Sequence, residues 1–137
     1  MNKHIYNILA EELRRISKKT VDFGFIEDYE FGNQILLDGK FIIQPESLNA
    51  ETIGINHRKR YERNIKIVYV KTNNVSNNSM DELVEIEKIT HELINSENIL
   101  SRVLNVDYTL NIELIKEKST DLTGILNIEI NLYIKEE

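Results

Sequence analysis

The apolar positions near the N-terminus follow a helical spacing. They recur every three or four residues, at Ile5, Ile8, Leu9, Leu13 and Ile16. This spacing places them on one face of a helix. The segment ends in four cations at positions 14, 15, 18 and 19, which suit the negative pole of a helix. We therefore predict an amphipathic helix over residues 2 to 18.

The next part of the chain carries strand patterns and one turn signal. Val21, Phe23 and Phe25 alternate with Asp and Gly, which predicts a short strand within residues 20 to 32. In QILLDGKFIIQP (residues 34 to 45), an Asp-Gly pair separates two apolar runs. Asp-Gly favours a tight hairpin because both central residues of that turn need positive φ, and one kinked strand is the other interpretation. Pro45 is predicted to close this segment, and residues 45 to 56 are predicted to form a loop.

Residues 64 to 71, NIKIVYVK, predict a strand that is apolar on both faces. Ile65, Ile67 and Tyr69 share one face, while Val68 and Val70 share the other. Strands with two apolar faces are typical of the covered centre of a sheet. We therefore expect this strand to be central.

A second helix is predicted after the polar segment TNNVSNNS. Ser79 and Glu82 have the spacing of a capping box, in which a hydroxyl and a carboxylate satisfy free backbone N–H groups. Apolar residues then recur at helical spacing, at Leu83, Ile86, Ile89, Leu93 and Ile94. We expect this amphipathic helix to cover roughly residues 80 to 96.

The last third of the chain alternates strictly between apolar and polar residues. NVDYTLNIELIK and GILNIEINLYIK, joined by a polar segment, predict a long antiparallel hairpin with one buried face. Twelve strand residues extend about 40 Å, which is comparable to the width of a domain of this length. The hairpin must therefore cross the domain or project from it. A projecting hairpin would offer an edge to a neighbouring chain.

Together these elements predict a single α+β domain over residues 1 to 137. Its expected architecture is a mostly antiparallel sheet of about five strands with two helices packed on one face, in the order α-β-β-β-α-β-β.

The chain contains 17 basic and 23 acidic residues, a net charge of −6, which argues against a general nucleic-acid binder. No Cys is present, so disulfides and thiolate sites are excluded. No apolar run reaches the ~20 residues of a membrane span, and the N-terminus lacks the apolar core of a signal peptide.

Candidate catalytic and metal-binding groups are scattered along the sequence. His4, His57 and His91 stand far apart, whereas a zinc site needs three or four convergent ligands. No Ser lies in a G-x-S-x-G turn, and the five glycines do not cluster ahead of a helix. The acidic group in residues 81 to 87 suits the first turns of a helix. We therefore expect no enzyme activity, no catalytic residues, no cofactor and no metal.

One basic cluster interrupts this acidic chain, at Arg58, Lys59, Arg60, Tyr61 and Arg63. Cations with an aromatic residue could contact phosphates and stack on a base. Arginines also suit carboxylate-rich protein interfaces, and a solvated approach to the following strand is the third interpretation. In an extended segment these charges divide between two faces, so they do not form a single basic face.

The arrangement of these segments resembles the tail terminator proteins of tailed phages. The similarity is to the family of phage-like elements in Gram-positive bacteria, including defective prophages and contractile bacteriocins. It is carried by the N-terminal helix, KFIIQP, RKRYERNIKIVYV, the helix LVEIEKITHELI, and the closing strands VDYTLNIEL and LNIEINLYI. Relatives tend to have a proline before the aromatic strand, where this chain has Asp38-Gly39-Lys40, and the predicted loop over residues 46 to 56 is long.

The resemblance implies a structural protein without catalysis or cofactor. Such subunits assemble as a homo-hexameric ring that caps the tail tube, ends its polymerisation and offers a surface to the head or neck. The implied partners are the tail tube, possibly the sheath, and a neck connector, with no membrane and no specific nucleic acid. The implied location is the bacterial host cytoplasm during assembly and then the particle.

On this basis, we expect residues 58 to 63 to contact a neighbouring subunit or the tube. The alternatives are another head–tail connector, a nucleic-acid-binding accessory protein that uses the same basic cluster, and a small enzyme of unrecognised type.

Overall fold

The computed structural model describes residues 4–25, 39–54, 58–74, 78–116 and 123–137. These residues form three helices and five strands. The helices are α1 (Ile5–Ser17), α2 (Asn78–Ile94) and α3 (Glu97–Leu100). The strands are β1 (Val21–Phe23), β2 (Lys40–Ile53), β3 (Arg58–Asn74), β4 (Asn105–Lys116) and β5 (Thr123–Glu136).

The five strands form one sheet in the order β1-β2-β3-β5-β4. The pairs β2–β3, β3–β5 and β4–β5 are antiparallel, whereas β1 pairs with β2 in parallel. The α+β fold class and the order of the main elements are therefore confirmed, but the sheet is mixed. The single turn of α3, which follows α2 after two residues, was not predicted from the sequence.

The main core lies between the helices and one face of the sheet. Residues buried there include Leu9 and Leu13 of α1, Ile86 and Leu93 of α2, and Tyr69 of β3. On the other face of β3, Val68 and Val70 are also buried. The prediction that this strand is central and covered on both sides is confirmed, because β3 is the third of five strands.

The predicted loop over residues 45 to 56 is wrong for residues 45–53. β2 continues through Pro45 to Ile53, and β3 already begins at Arg58. A bulge between Pro45 and Ser47 accommodates the proline, which cannot donate a ladder hydrogen bond. The segment ESLNAETI has no apolar alternation of its own, so its strand form depends on pairing with β3. Residues 55–57 lie outside the described part of the chain.

The predicted hairpin at Asp38-Gly39 is only partly within the described residues. Gly39 has φ +73° and its N–H donates to the Val70 carbonyl at 2.7 Å. The positive φ agrees with the turn chemistry, since left-handed backbone favours glycine. Residues 26–38, which include the first arm of that hairpin, lie outside the described residues.

The predicted capping residue Ser79 lies inside α2, which begins at Asn78. The other predicted member of the box, Glu82, accepts a hydrogen bond from the hydroxyl of Tyr69. Tyr69 is fully buried on β3, so this bond connects the first turns of α2 to the centre of the sheet. Glu82 therefore contributes to tertiary packing.

Candidate subunit-contact site

The basic cluster lies on a two-stranded arm at one end of the sheet. β2 and β3 remain paired as far as Ile53 and Arg58, whereas β5 follows β3 only as far as Tyr61. β1 pairs with β2 only at residues 41–43. We define the basic arm as residues 47–53 and 58–63. In the described residues, no third strand pairs with either strand of its outer part.

The bulge at the base of the arm sets which side chains share a face. Pro45 pairs with Ile65, and after the bulge Leu48 pairs with Arg63. Since Ile65 belongs to the helix-side core, Leu48 and Arg63 also lie on that side of the sheet. Leu48 is about half exposed.

Two of the predicted contact residues are exposed on the arm. The Arg58 side chain is 64% exposed and forms an ion pair with Glu137. Lys59 is exposed, and its Nζ donates to Thr52 Oγ1 across the strand pair at 2.5 Å. Successive residues of a strand point to opposite faces, so these two cations lie on different sides of the arm.

Arg60 and Tyr61 occupy a more enclosed position on the arm. Both residues are half-buried. Arg60 lies opposite Glu51 in the strand pair. Its side-chain Nε atom is buried and makes no hydrogen bond. A buried N–H without a partner is a cost that a neighbouring acceptor would relieve.

Arg63, the last predicted contact residue, is used inside the subunit. Its side chain is 12% exposed, and its Nε donates to the carboxylate of Glu136. Its Nη1 donates to the Tyr6 hydroxyl at 3.3 Å, and its guanidinium carbon lies 5.3 Å from the centre of the Tyr6 ring. Arg63 therefore fixes the base of the arm against α1 and the end of β5.

The opposite side of the sheet ends in a long edge strand with an apolar stripe. β4 has β5 as its neighbour on one side and, within the described residues, none on the other. We define the β4 stripe as Val106, Tyr108, Leu110 and Ile112. Each of them pairs directly with a buried residue of β5, so the stripe continues the helix-side face.

The predicted buried face of the hairpin is only half correct. Ile128 on β5 is 0% exposed, but its direct partner Ile112 on β4 is 47% exposed. Tyr108 is 40% exposed beside its buried partner Leu132. β4 is covered only in part: Val106 and Leu110 pack against the core, while Tyr108 and Ile112 remain exposed. The β4–β5 hairpin lies within the sheet and does not project from it, because β5 pairs with β3 along its length.

The sequence indicated that this hairpin could offer an edge to a neighbouring chain, but not which of its two strands would be the edge or that an apolar stripe would be exposed there. The alternation of β4 is as strict as that of β5, and alternation alone does not distinguish a central strand from an edge strand. Leu104, directly before β4, and Leu100 at the end of α3 are also exposed. A long apolar edge strand is prone to pair with another chain, so this edge is a second candidate contact surface.

Candidate ligand and metal groups do not converge in the described residues. No group of three His, Asp or Glu side chains in that part of the chain is placed to hold a metal ion. His4 caps α1, its Nδ1 accepting from the Tyr6 N–H at 3.3 Å, and His91 lies exposed beside Asn95. Among the described residues, no helix is long and apolar enough to cross a membrane.

Comparisons with known proteins give no independent identification. The chain matches no protein-family model, and it matches no curated protein.

Proposed function

We propose that this chain is a structural assembly subunit of a phage-like tail, acting as a tail terminator. In this role it forms a homo-hexameric ring on the tail tube, ends tube polymerisation and offers a surface to the head or neck. The observation that carries the proposal is the presence of two incomplete strand surfaces on one small domain. These are the basic arm and the partly exposed β4 stripe.

Both surfaces have the properties of assembly contacts. An isolated two-stranded ribbon is marginally stable in water, so the outer arm gains most from a partner that packs against it. A partly uncovered apolar edge strand such as β4 also gains from a partner that packs against it. The order of helices and strands also agrees with the order that underlies the tail-terminator resemblance. The proposed role needs no catalytic group.

The direct test is to remove the gene from a bacterium that produces the particle and to image the tails. We expect overlong or ragged-ended tails without heads, because nothing stops tube growth. Restoring the unaltered gene should restore the tail length. Tails of normal length without heads would favour a neck connector, and normal complete particles would remove the proposal.

The same assay tests the arm with a matched control. Reversing the two exposed cations, as Arg58→Glu/Lys59→Glu, should fail to restore tail length. Reversing two exposed cations elsewhere, Lys18 directly after α1 and Lys88 on α2, as Lys18→Glu/Lys88→Glu, changes the net charge equally and should restore it. Arg63 is left intact in both variants because its loss would disturb the fold itself. Equal restoration by the two variants would exclude the arm as a contact surface.

The nucleic-acid alternative has its own measurement. A salt-dependent shift of duplex DNA by the purified chain, abolished by Arg58→Glu/Lys59→Glu, would favour it. We expect no binding at low salt, because the net charge of −6 repels DNA around the arm.

A further inference from the structure

The basic arm and the β4 edge lie on the same chain and cannot contact each other within it. The arm extends from β2 and β3, while β4 lies on the far side of β5. Residues 47–53 of β2 have a free outer edge, and so does β4, within the described residues. Each edge therefore offers unpaired backbone groups to another molecule.

The strand directions match if a second copy lies beside the first in the same orientation. β2 is antiparallel to β3, β3 to β5, and β5 to β4. It follows that β2 and β4 run in opposite directions. A second copy related to the first by a simple displacement would therefore bring its β2 antiparallel to β4. The helix-side faces of the two sheets would then lie on the same side.

The side chains match on the helix-side face of such a joint sheet. On that face the outer part of β2 presents Leu48, Ala50 and Thr52, since they alternate from the Leu48–Arg63 pair. The β4 stripe presents Tyr108 and Ile112. Both sets are exposed in the single chain, and neither contains a charge. The contact would bury small and apolar side chains against an apolar stripe.

The net charges of the basic arm and of β4 are opposite. The arm carries four cations, all on β3 (Arg58, Lys59, Arg60 and Arg63), and two acids (Glu51 and Glu62). Residues 105–113 contain two acids, Asp107 and Glu113, and no cation. Contact between an acidic and a basic surface is favoured, and two copies of β4 facing each other would bring only acids together.

We propose that the outer β2 strand of one copy, residues 47–53, pairs antiparallel with β4 of a second copy. This proposal names the surfaces through which subunits meet. The role of that contact in a closed ring rests on the proposed function. A contact between two different surfaces is head-to-tail, so it generates a ring when the rotation between copies closes. Until closure, an open chain of subunits has one free arm at one end and one free β4 edge at the other.

The absence of Cys from the chain permits a clean cross-linking test. Asn49→Cys lies on the arm and Thr109→Cys lies on β4, both exposed and on the face opposite the helices. The two purified single-cysteine proteins are mixed and treated with a short bismaleimide over a series of protein concentrations. We expect covalent dimers in the mixture and far fewer with either protein alone. The double variant should give a ladder of higher oligomers.

The control mixture replaces Thr109→Cys with Glu87→Cys, an exposed position on α2. It should give only collisional cross-linking. The proposal is overturned if the test mixture reacts no better than this control at every concentration. It is also overturned if Thr109→Cys alone dimerises efficiently, which would indicate β4–β4 pairing, or if Asn49→Cys alone does so.

The terminator role and the arm-to-edge contact can be disproved independently. Tails of normal length after gene removal would eliminate the terminator role but leave a head-to-tail cross-linking pattern in place. Overlong tails with no specific cross-linking would keep the terminator role and eliminate the arm-to-edge contact.

Discussion

The carboxylate of Glu12 on α1 accepts a 2.8 Å hydrogen bond from the hydroxyl of Ser96, just before α3. The same carboxylate accepts bonds from Asn98 Nδ2 at 2.7 Å and from Arg15 Nη2 at 2.6 Å. Glu12 is only 5% exposed. It connects the N-terminal helix to the turn between α2 and α3, 84 residues later in the chain.

This environment predicts acid-sensitive stability. The hydrogen bond from Arg15, assisted by those from Asn98 and Ser96, lowers the pKa of Glu12 to about 2 from its ordinary 4.5. Because the pKa is lower in the folded state, the stabilisation is complete above pH 4.5 and is lost as the pH falls towards 2. The shift corresponds to about 3 kcal/mol. Urea unfolding at pH 6, 4 and 2.5 measures it.

Glu12→Gln should therefore destabilise the protein by about 2–3 kcal/mol at pH 7. The difference from the unaltered chain should shrink as the pH falls below 4. Its exposed neighbour offers a matched control, and Glu11→Gln should change the free energy of unfolding by less than about 0.5 kcal/mol. A Glu12→Gln protein with an unchanged pH profile would contradict the role of this cluster.

The anchor of the basic arm gives a second prediction. Removing the Arg63 side chain leaves the Glu136 carboxylate, 21% exposed, without its arginine. We expect Arg63→Ala to lower the free energy of unfolding by about 1–3 kcal/mol. Amide hydrogen exchange in residues 47–53 should also become faster, because the base of the arm loses its connection to α1.

Two further variants separate the contribution of the Tyr6 hydrogen bond from that of an exposed arginine on the same strand. Tyr6→Phe removes only the hydroxyl that accepts from Arg63 and should cost about 0.5–1 kcal/mol. Arg58→Ala changes an exposed arginine on the same strand and should cost less than about 0.5 kcal/mol. If Arg58→Ala and Arg63→Ala were equally harmful, Arg63 would not be the anchor of the arm.

The unequal burial of a cross-strand pair gives a third prediction. Ile112 and Ile128 face each other across β4 and β5, but only Ile128 is fully buried. Ile128→Ala should therefore cost about 2–5 kcal/mol. Ile112→Ala should cost about 1 kcal/mol or less, chiefly in strand propensity. Urea unfolding of the two variants at protein concentrations where the chain is monomeric makes the comparison.

The periodic segments of the sequence predicted most of the fold. The helical spacing from Ile5 to Ile16 and the two-faced strand from Ile65 to Val70 both correspond to elements of the structure. Alternation also predicted β4 and β5. These predictions succeeded because a repeated apolar period has few ways to be buried. The strand over residues 45–53 was missed, since it has no such period and forms by pairing with β3.

The candidate site could be predicted only in outline. The sequence identified the cations of residues 58–63 and their division between two faces. It could not separate Arg63, whose partners Tyr6 and Glu136 come from distant parts of the chain, from Arg58 on the surface. That distinction requires the packing of α1 and β5 around the base of the arm.

By itself, the sequence determined the class of the fold, because the apolar periods specify which segments form helices and strands. Tertiary structure alone decided which strand became the edge. β4 and β5 carry the same alternation, yet the helices cover β5 and leave Tyr108 and Ile112 of β4 exposed. The physical reason is that burial depends on an element's neighbours in three dimensions, and these come from segments far apart in the chain.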